Sequence, residues 1–472
     1  MGTLQATHDL LEQAEQDAII AKRLPGWMRP GNPEHMRVLC QALRGSLDCR
    51  YRLQALLQQI VPIDRFATPL LKQALQARYG LKQDLDHLWM RAAFEKPLST
   101  YAPIRVPLTE RVYYQIPLLE AALHGFTAAE AKAGGQAPDC GLYEADGMPL
   151  EAPSAMAFAS LVRELDLGQR YQQHLDSHLA TPQSKALLAD SVRHGMLIAA
   201  MQARHAGVLD AAELELLVKL WRDGWLSQLD DTRVLGKRLE VLGCPLQQIL
   251  VLDVRDETFA PLHTSTRRVL VYIPGDPQGA WSAHDDLQQF AQRVLGQRLR
   301  MVTYRQFFAR FVRARDSQAF FSRIGAGYDD LTKWANIDLD ERMHPIGAYV
   351  FKHLAALRVA QVKDDAQVFA PSVAKLDREV QQAHAQRLAA LGLTALSAAS
   401  LYLPALGTVL LAMLAWKWLD DVFQSVAAWQ EGEVREALDH VTEVAIDLAV
   451  IAAGRPPAPG APGGRCRVFM GR

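Results

Sequence analysis

The sequence has few cysteines, no excess of charge of either sign and no spacing typical of a metal site. Its five cysteines among 472 residues are odd in number, scattered and free of any C-x-x-C pair, so neither a disulfide framework nor a zinc site is indicated. Lys and Arg number 51 against 52 Asp and Glu, so no basic field attracts nucleic acid. We therefore expect no nucleic-acid partner.

Motifs for catalysis are also missing. The chain contains no G-x-x-x-x-G-K-[ST] phosphate loop and no G-x-S-x-G nucleophile elbow. His174 and His178 could share one helical face, but the H-E-x-x-H pattern is absent, which favours surface histidines over a metal pair. We expect no metal, no cofactor and no enzymatic activity. A cysteine nucleophile, Cys140 or Cys244, stays open as an alternative, because its partners would meet only in the folded chain.

Two pairs of adjacent aspartates raise the question of acid/base catalysis or a divalent cation. They stand at 329–330 and at 364–365. Adjacent acids on a helix point away from one another, so a solvated face or a first helical turn is the favoured interpretation of each pair.

The beginning of the chain does not have the pattern of a secretory signal. It carries acids where a signal needs basic residues, and it has no continuous apolar core. We expect cytosolic synthesis, and any secretion would then need a dedicated system and no cleaved signal peptide.

Apolar spacing and breaker residues divide the chain into four regions. Residues 1–240 have mostly helical spacing, and LPGWMR near the start predicts the end of a first helix before Asn32 and Pro33 open another. Residues 241–325 predict a small α/β unit, residues 326–454 a second helical region, and residues 455–472 a Pro/Gly-rich disordered tail. The predicted fold class is mainly α with a small α/β element (α+β), ending in an apolar helical hairpin.

The strand signal is concentrated in the α/β unit. Two β-rich runs, at 249–254 and 269–273, predict buried strands, and Pro/Gly residues then force a turn. Ser282 is the predicted N-cap of the helix that follows. The next segment, TYRQFFARFVRARD, has aromatic residues at helical spacing and predicts a core-facing helix with solvated arginines.

One long apolar run stands out near the C-terminus. Residues 388–416 are twenty-nine consecutive residues without a formal charge, long enough as a helix to cross a bilayer. Pro404 and Gly407 divide the run, which indicates a tight helical hairpin at least as well as one straight span. The residues predicted to enter the membrane or its interface are Leu393, Leu396, Leu401, Tyr402, Leu403, Leu406, Val409, Leu410, Leu411, Met413, Leu414, Trp416 and Trp418.

Acidic residues follow this run and separate it from a second apolar helix that ends at Gly454. Ionised carboxylates would keep the connection out of a bilayer at neutral pH, and protonation near pH 5 would lower that barrier if crowding raises their pKa values. The predicted acidic switch consists of Asp420, Asp421, Glu431, Glu433, Glu436, Asp439, Glu443 and Asp447. A buried hairpin beside an exposed acidic helix explains the same pattern without a membrane.

Several stretches, in this order, resemble the dermonecrotic-toxin N-terminal-like domain of large secreted proteins of Pseudomonas and relatives. They are LPGWMR, VYIPGDPQGAW followed by TYRQFFARFV, KDDAQVFAP, and SLYLPALGTVLLAMLAWKWLDDVFQSVAAWQEGEVREALDHV, which together extend from about residue 20 to 454. The resemblance implies a toxin or effector role, in which this region serves cell attachment and membrane translocation. Some relatives continue into leucine-rich repeats and a ubiquitin-ligase domain, and no such sequence follows Gly454 here, so a truncated relative or a separate toxic polypeptide is expected.

These observations lead to one functional hypothesis and two alternatives. The hypothesis is a non-catalytic membrane-docking and translocation module of a bacterial toxin or secreted effector, acid-assisted and acting at a host or target-cell membrane. A host receptor or a partner toxin chain would be its further partner. The alternatives are a soluble interaction scaffold with a permanently buried hairpin, and a hidden cysteine-dependent enzyme.

Overall fold

The chain folds into a helix-rich body that contains two antiparallel sheets. A computed structural model describes residues 15–29, 32–97, 109–225, 233–256, 265–329, 338–378 and 434–452. Helices predominate in these residues, so the predicted α+β fold class is confirmed. The predicted apolar hairpin lies outside the described residues.

The first half of the chain builds a layer of packed helices. Asn32 caps the long second helix, because its side chain accepts a hydrogen bond of 2.9 Å from the Glu34 backbone N–H, and Pro33 occupies the first helical position, as the sequence predicts. The helices are 15–23 (α1), Pro33–Gln59 (α2), Ile63–Tyr79 (α3), Leu118–His124 (α4), Ala155–Leu165 (α5), Leu167–Leu179 (α6), Pro182–His205 (α7) and Ala211–Asp223 (α8), with 3-10 turns at Gly26–Met28 and Leu85–His87.

A three-stranded antiparallel sheet interrupts this helical layer. Its strands are Leu88–Pro97 (β1), Thr109–Pro117 (β2) and Gly141–Glu144 (β3), in the order β2-β1-β3. Trp89 of the central strand lies opposite Pro117 on one side and Tyr143 on the other. The sequence predicts only irregular connections and a short hairpin between about 97 and 153, whereas the pairing begins at Leu88.

A five-stranded antiparallel sheet forms the centre of the second half. Val251 pairs with Val271, so the two strands predicted from the β-rich runs are neighbours. The sheet extends beyond the 241–325 interval at both ends, because one strand begins before it and the last one follows it. Its strands are Arg233–Val241 (β4), Cys244–Asp256 (β5), Ser265–Tyr272 (β6), Trp281–His284 (β7) and Arg342–Pro345 (β8), in the order β7-β6-β5-β4-β8.

The two faces of this sheet belong to two different hydrophobic cores. Leu250 and Leu252 on one face of β5 pack into the core of the helical layer. Ile249 and Val251 on the opposite face pack into a second core. Because side chains alternate along a strand, a continuous apolar run is what a sheet covered on both faces requires.

Short helices cover the second face of the sheet. Tyr304 and Phe308 are buried in the second core, so the predicted core-facing aromatic residues are confirmed. The predicted single helix is interrupted after Phe308 by a 3-10 turn, and a new helix begins at Ala314. The predicted N-cap Ser282 is wrong, because Ser282 lies on β7 opposite Val271, and Asp286 caps the helix instead. These helices are Leu287–Phe290 (α9), Gly296–Leu299 (α10), Val302–Phe308 (α11) and Ala314–Asp329 (α12), with a π turn at Ala291–Leu295 and a 3-10 turn at Ala309–Phe311.

Three further helices return to the helical layer. Val350–Phe369 (α13) packs on α6, α7 and β5, and Val373–Leu376 (α14) follows it. Val434–Ala452 (α15) packs along α2. Leu438 of α15 joins the same hydrophobic core as Leu43 of α2, so the last described helix is part of the helical body.

Candidate functional site: the seat of the C-terminal helix

The structure describes only part of the predicted site. The predicted membrane-entering residues all lie in 379–433, outside the described residues, as do Asp420, Asp421, Glu431 and Glu433 of the acidic switch. Glu436 lies in the first turn of α15. The remaining three acids of the switch, Asp439, Glu443 and Asp447, lie on α15 within the described chain.

The site described here is the C-terminal seat, which consists of α15 with Asp17 of α1 and Cys40 and Arg44 of α2. The buried apolar residues of α15 recur at helical spacing and face the helical body, which is the pattern of an amphipathic helix. They are Leu438, Val441, Val444, Ala445 and Ala449.

Arg44 holds the first turns of α15. Its Nε donates to Asp439 Oδ1 at 2.7 Å, and its Nη2 donates to Thr442 Oγ1 at 3.0 Å. Thr442 is fully buried and its carbonyl accepts a 3.8 Å hydrogen bond from the Cys40 thiol. Burial raises the pKa of Cys40 to about 12, so the thiol is neutral beneath the helix. One guanidinium therefore connects an exposed acid with a buried hydroxyl.

A second ionisable contact joins α15 to α1. His440 Nε2 lies 2.6 Å from Asp17 Oδ1, a pair that is ionic when the imidazole carries a proton. Arg44 and Asp17 thus hold successive residues of α15, Asp439 and His440. The polar contacts of α15 with α1 and α2 are thus made largely by charged or ionisable side chains.

Carboxylates also crowd on this side of α15. Burial raises the pKa of Asp447, and the neighbouring charges of Asp17 and Glu443 raise it further. Its protonation in mild acid removes repulsion between carboxylates. The role of this group as a switch stays a prediction.

The described residues that precede 379–433 are held on the helical body. Arg163 of α5 pairs with Asp377 at 2.9 Å, and Asp166 accepts a 3.1 Å hydrogen bond from the Val373 backbone N–H. Because α15 packs on α2, the chain also re-enters the same body after residue 433. The described residues on both sides of 379–433 therefore contact the same helical body, through polar contacts at α14 and through the hydrophobic core at α15.

Within the described ranges, no helix has the length and apolarity needed to cross a membrane. The uncharged run at 388–416 lies outside those ranges.

The histidine pair of α6 makes ordinary structural contacts. His174 Nε2 accepts a 3.1 Å hydrogen bond from the Val61 backbone N–H, and its ring centroid lies 4.8 Å from that of His178. Among the residues that the structure describes, no group of three or more His, Cys, Asp or Glu is arranged to hold a metal ion.

The aspartate pair at 364–365 differs from the prediction of a solvated face. Asp365 is buried and its Oδ1 accepts a 2.8 Å hydrogen bond from the Ala314 backbone N–H at the start of α12. Burial raises the pKa of Asp365 to about 6, and Asp364 adds to the shift. Asp364 pairs with Arg315 at 3.3 Å. The pair joins α12 to α13, a contact that only the folded chain reveals.

The two candidate cysteine nucleophiles are not activated. Cys140 lies in a cavity of about 70 Å³ that His124 also lines. Burial raises the pKa of both Cys140 and Cys244, so both thiols favour the protonated, poorly nucleophilic form. The geometry therefore gives the hidden-enzyme alternative no support at these two positions.

Sequence reasoning missed the partners of α15. Cys40, Arg44 and Asp17 are separated from α15 by about four hundred residues, and no local pattern connects them. The available signal was the i, i+4 spacing of Cys40 and Arg44, which places both on one face of α2.

Comparison with known proteins identifies the first part of this body. The family model described as dermonecrotic toxin, N-terminal domain, matches residues 57–315, more than half of the chain. VYIPGDPQGAW and TYRQFFARFV lie inside the match, whereas LPGWMR, KDDAQVFAP and the seat of α15 lie outside it. No curated protein matches the chain. The matched region thus contains α3 to α11, the three-stranded sheet and four of the five strands of the second sheet, β4 to β7. Because the match covers more than half of the chain, the chain belongs to the family of dermonecrotic toxin N-terminal domains.

Proposed function

We propose that this chain is the non-catalytic membrane-docking and translocation part of a bacterial toxin, which inserts the apolar run at 388–416 and then α15 into a target-cell membrane with the assistance of acid. A host receptor or a partner toxin chain would direct it to that membrane. The toxin-related role follows from the family, and the membrane role is our proposal.

The anchoring of 379–433 at both ends is the observation that carries the proposal. An uncharged run of this length needs either a protein core or a bilayer to cover it. The run lies between α14 and α15, and both helices contact the same helical body. Release of α15 would let the run move away from the helical body while α14 stays attached to it.

The ion pairs that hold α15 are partly exposed to solvent. Arg44 and Asp439 are 44% and 48% exposed, and the pair of His440 with Asp17 is also partly exposed. Exposed ion pairs contribute little, about 0–1 kcal/mol each. The buried apolar stripe of α15 supplies the rest of the docking, and the same stripe would favour lipid after release.

Asp447 affects the two states of α15 differently. Because its pKa is raised in the seat, protonation in mild acid stabilises the docked helix and cannot itself release it. Protonation also removes a charge that a bilayer would exclude, so it lowers the cost of insertion. The release step therefore needs a different group.

Vesicle flotation at pH 7.5 and pH 5.0 tests the proposal with the full chain. We expect binding at pH 5.0 and little at pH 7.5. Leu410→Lys places a charge in the centre of the apolar run and should reduce binding at pH 5.0 at least tenfold, since a central charge costs several kcal/mol, about 3 on insertion scales.

Val208→Lys is the matched control, because Val208 is an exposed apolar residue of the helical body outside the run. It should bind as the unmodified chain does. Negligible binding of the unmodified chain at both pH values would contradict the proposal and favour the scaffold with a buried hairpin.

A further inference from the structure

His194 of α7 lies between Trp221 of α8 and Gly45 of α2, the helix that seats α15. Trp221 Nε1 of α8 donates a 3.2 Å hydrogen bond to His194 Nδ1 on α7. Indole nitrogen only donates, so Nδ1 must be the acceptor and the ring proton of neutral His194 is on Nε2. Protonation would place an N–H on Nδ1 directly opposite the indole N–H.

The imidazole lies in close contact with the backbone of α2. A Cβ on Gly45 would overlap the Nε2 side of the His194 ring, so the α2 backbone is in close contact with the ring at this residue. Gly45 directly follows Arg44, which holds Asp439 and Thr442 of α15. The disturbed contact and the anchor of α15 are therefore neighbours in one helix.

The charges around His194 do not stabilise an imidazolium. Burial, and after it the guanidinium of Arg193 on the same helix, lower the pKa of His194 to about 4. Arg193 lies 5.2 Å from the centre of the Trp221 ring, next to the same hydrogen bond. Asp190 of α7 and Asp48 of α2 oppose this effect without reversing it.

We propose that His194 is the acid sensor of the C-terminal seat, whose protonation breaks the hydrogen bond from Trp221, displaces α2 at Gly45 and releases α15. The inference rests on the membrane-docking function proposed above, of which it names the trigger. His174, which accepts from the backbone after α2, is a second acceptor histidine and reinforces the effect.

The sign of the linkage agrees with release in acid. A group whose pKa is lowered in the docked state binds protons better after release, so docking weakens as pH falls from about 6.5 towards 4. At pH 5 the difference between about 4 and the ordinary value of 6.5 sets an upper limit of about thirty-fold on how far this one group favours the released state, reached when displacement of α2 leaves the imidazole fully in water.

The labelling rate of Cys40 on α2 would report the release of α15. The Cys40 thiol is buried and donates a hydrogen bond to the Thr442 carbonyl of α15, so it becomes accessible when α15 leaves. We would measure its labelling by a dipyridyl disulfide, which reacts with thiols in acid, and identify the labelled cysteine by mass spectrometry. Rates are divided by those of the unfolded chain at the same pH. We expect the normalised rate to rise about ten- to thirty-fold from pH 7.5 to pH 5.0.

His194→Asn keeps an acceptor oxygen near Nδ1 but does not titrate, so the rise should be lost. His87→Asn, at an exposed histidine, is the matched control and should keep the rise. Trp221→Phe removes the indole N–H that would oppose protonated His194. The ratio of the Cys40 labelling rate at pH 5.0 to that at pH 7.5 should therefore fall. A loss of stability that is equal at both pH values would not change this ratio. An equal rise in His194→Asn, or no rise in the unmodified chain, would overturn the proposal.

Vesicle flotation of the same proteins separates the two hypotheses. Release of Cys40 that depends on His194, without any vesicle binding, would support the sensor and contradict the membrane function. Vesicle binding at pH 5.0 that is unchanged in His194→Asn would support the membrane function and overturn the sensor.

Discussion

Arg44 on α2 donates a 2.7 Å hydrogen bond to Asp439 on α15, which lies 395 residues later in the sequence. The same guanidinium donates to Thr442, so the last described helix is fastened to the first long helix by one side chain. Release of α15 from the helical body therefore requires these hydrogen bonds of Arg44 to break.

Replacement of Arg44 by methionine should weaken the docking of α15. Methionine keeps an apolar stem but cannot pair with Asp439 or donate to buried Thr442. The loss of these two contacts should reduce the free energy of docking of α15 by about 1–2 kcal/mol. Native-state hydrogen exchange of the α15 amides would measure the change. Arg37→Met is the control, because the Arg37–Glu34 pair is more exposed, at 53% and 61%, and lies within α2. Equal protection in both variants would contradict the anchoring role.

Asp447→Asn should stabilise the docked helix at neutral pH. The pKa of Asp447 is raised by burial and by nearby carboxylates, so its ionised form opposes docking above that pKa. The gain should fade as pH falls through the raised pKa, since the unmodified residue is then neutral too. Thermal unfolding between pH 4 and pH 8 would follow the difference, and Glu443→Gln, at an exposed position, should show a smaller one.

Asp365 offers a separate test of acid dependence at the α12–α13 contact. Burial raises its pKa to about 6, so its ionised form is disfavoured at pH 7.5 and the fold gains stability as pH falls through 6. Asp365→Asn keeps the acceptor for the Ala314 N–H and should be at least as stable as the unmodified chain at pH 7.5, with no advantage at pH 4.

Asp365→Ala removes the acceptor as well as the charge. It should be less stable than Asp365→Asn by about 1–2 kcal/mol, because the Ala314 N–H is left without its partner. Chemical denaturation at pH 7.5 compares the two, and equal stability of the variants would exclude the helix-capping role of this carboxylate.

Lys237→Met should be strongly destabilising. Lys237 Nζ lies 2.5 Å from Oδ2 of Asp253, which is fully buried and also accepts from Arg255 and Thr266. Burial favours the neutral acid, but the hydrogen bonds from Lys237 and Arg255 keep the pKa of Asp253 lowered. Removal of one partner from a buried ion pair lowers the free energy of unfolding by about 3–5 kcal/mol. Because Arg255 and Thr266 still donate to Asp253, we expect a smaller loss here, about 2–3 kcal/mol.

Lys72→Met is the control for that prediction, since its pair with Asp84 is 43% and 54% exposed. The free energy of unfolding of Lys72→Met should be lower than that of the unmodified chain by no more than about 1 kcal/mol. Urea unfolding would compare the two variants, and similar midpoints would show that the Lys237–Asp253 pair is not energetically important.

Local pattern was sufficient where one element determines its own structure. The β-rich runs at 249–254 and 269–273 became neighbouring strands because a sheet covered on both faces requires continuous apolar residues. Asn32 and Pro33 begin α2 because capping needs only the residues of the first turn. Tyr304 and Phe308 are buried because their spacing matches one helical face.

Local pattern failed where a distant partner decides the outcome. Ser282 has the character of an N-cap, but pairing with Val271 makes it a strand residue. Asp365 has the character of a solvated acid, but the start of α12 covers it. In both cases the competing contact comes from another element, the neighbouring strand for Ser282 and the start of α12 for Asp365, and such contacts override local preference.

The sequence by itself determined the mainly helical α+β class, the position of the uncharged run and the toxin family, because periodicity, charge and ordered motifs are local properties. Only the tertiary structure decided that α15 is seated on α2 by Arg44, and that His194 faces an indole N–H behind Gly45. These contacts join residues from separate helices. The direction in which they respond to acid depends on the burial of each ionisable group and on which atom donates the hydrogen bond. A sequence pattern specifies neither of these.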